Sequence, residues 1–202
     1  MNESAIYTGG VPRADRRAQL VHIAYQLIAQ RGLEGLRFAD IANAAGINNG
    51  TLLYYFASKD ALIQAVGAYL VEQYSQSGAT SSQLFPLEQL RVEFADARAR
   101  LGSDQGVVYT ELLARAQRDP AVADLLRDID ANWRRWLTYI LERGHAAGDF
   151  RQDIDLDLVA TTIMAAIRGV GMQALIAAEP RSAAPAMDAL GAQIEAWITP
   201  RG

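Results

Sequence analysis

The 202-residue chain contains no cysteine, which excludes disulfides and thiolate metal sites and fits a reducing compartment, the cytoplasm. Histidine is nearly missing. His22 and His145 stand far apart in ordinary helical sequence, and structural roles are expected for both. No paired metal-ligand spacing, phosphate loop or nucleophile elbow is present, so nothing supports catalysis and no cofactor is implied. No apolar run approaches the roughly 20 residues that a membrane helix needs, and the N-terminus MNESAIYTGG lacks a basic-then-apolar signal pattern. The expectation is a soluble intracellular protein without a membrane partner. Strand-like alternation of useful length and internal repeats are also absent, which leaves an all-α fold.

Half of the residues are hydrophobic, enough to bury a sizeable core in one domain or two small ones. The net charge of −4 argues against non-specific coating of nucleic acid. Its distribution is uneven: residues 1–60 carry six basic and five acidic side chains, the remainder thirteen and eighteen. Lys59 is the sole lysine.

The most informative stretch is Leu36 to Lys59, LRFADIANAAGINNGTLLYYFASK. Phe38, Ile41, Ala42 and Ala45 recur at helical spacing. Gly46 can take the positive φ that a sharp turn requires, and Asn48 is a good N-cap for a second helix starting at Asn49. This is the layout of a helix-turn-helix. Upstream, residues 1–12 read as a flexible arm. Arg13, Arg16 and Arg17 open a helix with an apolar stripe, Leu20, Ile23, Ala24, Leu27 and Ile28, that ends at Gly32. These arginines suit either a solvated face or phosphate contact.

Downstream, Ser58 can cap a helix from Lys59 to about Gln76, followed by a Ser-, Gly- and Thr-rich loop over Ser75 to Pro86. Further helices are expected over Leu87–Leu101, Gln105–Arg118, Ala121–Ala147, with Asp119-Pro120 as its start, Asp155–Ala178 and Ala186–Ile198. The Asp155 helix is almost uncharged apart from Arg168, so it must be covered on several sides. The total is about nine helices, in an N-terminal domain over 1–58 and a C-terminal domain over 59–202.

The stretch Arg31 to Leu62 resembles the TetR family of transcriptional regulators. The matching positions are Ile41-Ala42, Ala45-Gly46, Gly50-Thr51-Leu52, Phe56, Ser58-Lys59 and Leu62. Two positions depart from the family pattern: Arg37 stands where many members have threonine or serine, and Leu53 where many have tyrosine. The resemblance implies a three-helix DNA-binding domain joined to a helical ligand-binding and dimerisation domain. It also implies a homodimer whose third helices enter successive major grooves of a roughly palindromic operator on double-stranded DNA. Asn48, Asn49, Gly50 and Thr51 would meet base edges, and Arg37, Tyr54, Tyr55 and Lys59 would meet phosphate, packing being the other role for the tyrosines. Phe94, Tyr109, Trp133, Trp136, Met164, Arg168 and Met172 would surround a small-molecule effector, with core packing as the other role for the tryptophans and methionines. Arg168 would hold an anionic ligand or an acid across the dimer. Gly169 and Gly171 would let a partner helix approach in a four-helix interface built from the last two helices of each subunit. The expected function is a repressor released from its operator by that effector. The alternative, motivated by Arg37 and Leu53, is a helical sensor whose DNA binding has been lost.

Overall fold

The computed structural model describes residues 13–79 and 83–200. The arm expected over 1–12 and residues 80–82 of the expected loop lie outside the described residues. Among the described residues there are nine α-helices and no strand. They are α1 (Arg13–Arg31), α2 (Phe38–Ala44), α3 (Asn49–Tyr55), α4 (Lys59–Ala79), α5 (Pro86–Arg100), α6 (Asp104–Ala116), α7 (Pro120–Ala147), α8 (Leu156–Ile176) and α9 (Ala184–Ile198). The sequence reading began the loop at Ser75, but α4 continues through that position to Ala79. Between α8 and α9, Pro180–Ala183 forms one 3-10 turn.

The chain forms two compact units, one ending at Val66 and the other beginning at Gly67. The division therefore falls inside α4 and not before it. In the first unit, α1 buries Leu20, Val21, Ala24, Tyr25 and Ile28. Gly32, at φ 70°, stops it, and its N–H closes on the Ile28 carbonyl at 2.8 Å. Buried Ile41 and Ala42 of α2, Leu52 of α3 and Phe56 after it complete the local core together with Leu62, Ile63 and Val66. Each fully buried Leu, Ile or Phe side chain contributes about 1.5–3 kcal/mol against exposure, so these short helices are held by packing and not by intrinsic propensity.

The second unit is built on α7, the longest helix, whose Leu137, Ile140 and Leu141 meet Leu90, Phe94 and Ala97 of α5 and Val159, Ala160, Ile163 and Met164 of α8 in one core. Met187, Ile194 and Ile198 of α9 join them. Arg91 and Arg98 of α5 pair with Glu195 and Asp188 of α9 at 2.6 and 3.0 Å. Such exposed pairs fix register more than they add stability.

The stretch between α7 and α8 has a defined structural task. Gly148, at φ 79°, ends α7 in a left-handed turn, and the Asp149 and Phe150 N–H groups return to the Gly144 carbonyl at 2.9 and 3.1 Å. This folds the Phe150 ring onto Gly144, where a Cβ would lie 2.1 Å from the ring, so the position admits no side chain without a shift. Arg151 donates its backbone N–H to the Ile198 carbonyl at 2.7 Å, and Asp155 caps α8 through the Leu158 N–H at 3.0 Å.

The sequence reading found no run long enough to cross a membrane, yet α8 reaches that threshold by length and composition alone. It packs on α5, α7 and α9 instead, which is the covering that its composition demanded.

Candidate functional site

In the first unit the N-terminal end of α3 stands open. The Asn48 Oδ1 accepts the Thr51 N–H at 2.8 Å and the Thr51 hydroxyl at 3.1 Å, closing the N-cap expected from sequence. This bond orients Thr51 but commits the Asn48 carbonyl oxygen, so Asn48 presents its amide N–H groups and Thr51 its methyl. Asn49 and Gly50 are exposed at the first two helical positions. Asn49 can form the bidentate pair that asparagine makes with adenine, while Gly50 keeps the surface low.

The basic residues around this end divide by role. Arg16 donates to the Ala45 carbonyl at the C-terminus of α2 at 2.8 Å, a tie between helices. Arg13 lies 4.8 Å over the Tyr54 ring and Arg17 4.8 Å over Phe56, both with exposed charge. Arg37 occupies the N-cap of α2 with no side-chain cap bond and is exposed. Tyr54 is 63 % exposed and meets Tyr55, half-buried, edge to face at 5.3 Å. Lys59, expected to meet phosphate, carries three N–H donors. Its Nζ donates to the Leu33 carbonyl at 2.9 Å, so the charge that sits poorly with the α4 dipole satisfies a carbonyl just beyond α1.

The second unit holds a partly open cavity of about 590 Å³, within the range of small-molecule sites. Tyr109, Trp133, Trp136, Arg168 and Met172 line it, with Tyr74, Glu93, Ile129 and Leu113. Phe94 and Met164, also expected there, do not. Both belong to the core, and Phe94 faces Gly191 of α9. Arg168 is already committed: it pairs with Asp130 of the same chain and lies 5.3 Å over the Trp133 ring. Neither a free anion site nor an acid from a partner subunit is needed to explain it.

Glu93 was not singled out by sequence. It is 7 % exposed, and its two oxygens accept the indole N–H groups of Trp133 at 3.2 Å and Trp136 at 2.7 Å. Burial is the chief cause that raises its pKa, opposed by the Trp136 bond, by the nearby Arg100 charge and by the Trp133 bond. Burial likewise pushes the Tyr74 hydroxyl up to about 12. Between the ordinary glutamate pKa of about 4.3 and the raised folded value, the folded state binds more protons than the unfolded one. Stability therefore falls as pH rises through that window. Glu93→Gln removes the penalty. Its gain in urea midpoint over the wild type is expected to be absent near pH 4, to grow with pH and then to level off; a gain independent of pH would contradict this.

A third feature is the outer face of α8. Leu158, Thr161, Ala165, Gly169, Met172 and Ile176 are exposed at three- and four-residue spacing, and Ile176 is 89 % exposed. Ala186, Ala189, Gln193 and Ala196 of α9 are exposed in the same periodicity. Val159, Ala160, Ile163 and Ile167 point into the unit, and exposed Met172 lies on the stripe and on the rim of the cavity alike. Of the two glycines, Gly169 lies on this uncharged stripe while Gly171 lines the cavity.

Residues 20–66 match the family described as bacterial regulatory proteins, tetR family. Residues 87–199 match the C-terminal part of the BetI-type transcriptional repressors. The HTH-type transcriptional repressor KstR2 of Mycolicibacterium smegmatis is 33% identical over 151 residues, covering 72% of this chain and 73% of that protein. A transcriptional regulator from Saccharomonospora viridis, solved in complex with choline, superposes with a TM-score of 0.84 at 26% identity, over 94% of this chain and 100% of that one. The ketosteroid transcriptional regulator KstR2 of Mycobacterium tuberculosis does so with a TM-score of 0.66 at 26% identity, over 96% and 98%.

Proposed function

Because the chain belongs to the TetR family of transcriptional regulators, and so is a DNA-binding repressor responsive to a ligand, we propose which of its surfaces read DNA, bind the effector and pair subunits. The exposed start of α3 carries the reading: Asn49, Thr51 and the Asn48 amide meet base edges of a roughly palindromic operator. Arg13, Arg17, Arg37, Tyr54 and half-buried Tyr55 supply phosphate contacts around it. The protein acts in the cytoplasm, where that DNA is.

Two copies pair through the uncharged stripes of α8 and α9 as a homodimer, which presents two α3 helices to successive half-sites. The effector enters the cavity of the second unit. By binding the DNA-incompetent arrangement more tightly than the competent one, it shifts the population away from operator binding, and its reach is limited to that difference in affinity. The observation that carries the reading is the exposed, asparagine-capped start of α3 in a chain that also holds a largely apolar, partly open cavity of about 590 Å³. The test is a titration of the dimer against the DNA flanking its own gene.

A further inference from the structure

Resting on the reading of the cavity as the effector site, we propose that the effector is an organic cation with an apolar body, its ammonium head seated against Glu93 between Trp133 and Trp136. A carboxylate buried without a countercharge is costly. Among the described residues Glu93 has no basic side chain within salt-bridge distance, and its hydrogen-bond donors are two neutral indoles. Those donors hold one lone pair on each oxygen and leave the charge unneutralised, with further acceptor capacity facing the cavity.

The surrounding charges point the same way. Four charged side chains line the cavity: Glu93, Asp96, Arg100 and Arg168. Arg168 is neutralised by Asp130, which is not among the lining residues. Arg100 lies over the Tyr74 ring at 5.4 Å; its charge favours the Glu93 carboxylate without a salt bridge to it, and that of Asp96 opposes it. Counted with Asp130, the site holds three acids and two arginines, one negative charge in excess, and Glu93 is the buried one of the three acids.

Aromatic walls suit a cation, which is drawn to ring faces and tolerates a desolvated setting that a small hydrated ion does not. Tyr74 and Tyr109 stand edge to face at 6.0 Å along the same wall. The rest of the lining is largely apolar, with Leu113, Ile129, Ile167 and Leu175, and it can take a hydrocarbon or ring body much larger than an ammonium head. Burial raises the Glu93 pKa, and a cation seated beside it would favour the carboxylate.

The test uses the full-length dimer and three probes of matched shape: trimethyl(4-phenylbutyl)ammonium, its neutral isostere with carbon in place of nitrogen, and 5-phenylpentanoate. Binding is read by calorimetry and by quenching of Trp133 and Trp136 fluorescence. The wild type is expected to bind the cation at least about tenfold more tightly than the isostere, to exclude the anion, and to lose cation affinity as acid protonates Glu93. In Glu93→Gln the cation's advantage should disappear while the isostere binds as before. Equal binding of cation and isostere by the wild type, preference for the anion, or no binding of the cation at millimolar concentration would each overturn the proposal. The wild-type comparison stands even if the variant folds poorly. Operator binding by the same preparation without any probe reports on the repressor reading separately, so the two can fail independently.

Discussion

Asn49→Ala combined with Thr51→Ala is expected to weaken specific operator binding at least about 100-fold, because each lost base contact costs about 1–3 kcal/mol and a dimer loses it in both half-sites. The fold should not suffer. Asn49 is exposed, and the Thr51 backbone N–H that Asn48 accepts at 2.8 Å remains in the double variant. Only the 3.1 Å hydroxyl bond to Asn48 is lost. The salt dependence should stay nearly as steep as in the wild type, since that slope counts phosphate contacts and not base contacts. Fluorescence anisotropy at two salt concentrations separates these effects. Unchanged affinity would place the reading surface elsewhere.

Gly169→Glu is expected to convert the dimer to monomer at micromolar concentration and to lower operator affinity by about 10²–10⁴, the advantage that linking two half-site readers provides. The substitution discriminates because nothing in the subunit opposes it. A Cβ at Gly169 meets no atom within 4 Å, and replacing a mid-helix glycine favours the helix by up to about 1 kcal/mol. Loss of the dimer could therefore not be blamed on a damaged subunit. In the pairing through α8, by contrast, two glutamates would be brought into an uncharged stripe with no partner. Analytical ultracentrifugation reads the mass directly, and a variant that remains dimeric would rule out this stripe as the interface.

Features fixed by local chemistry were legible in the sequence. Gly46, at φ 64°, and the Asn48 cap depend on residues within a few positions of each other, and so the turn and the start of α3 were placed correctly. Roles that depend on distant partners were not. Lys59 finds a carbonyl 26 residues back, and Glu93 meets an indole 40 residues ahead; neither spacing has a sequence signature. Helical rotation explains the misplaced cavity residues. Consecutive residues differ by about 100° around a helix, so Phe94 turns to α9 while its neighbour Glu93 turns to the cavity. The purpose of the GDFRQDID stretch likewise appears only in three dimensions, where Phe150 fills the space above Gly144.

The most direct test of the whole account is a titration of the purified dimer against a DNA fragment flanking its own gene, by gel shift at low and at near-physiological salt, with and without the cationic probe. The expected result is one saturable complex with two subunits per site, weakened by salt, surviving an excess of unrelated DNA and released by the probe. Absence of any shift at low salt would contradict the account and favour a helical sensor that has lost its operator.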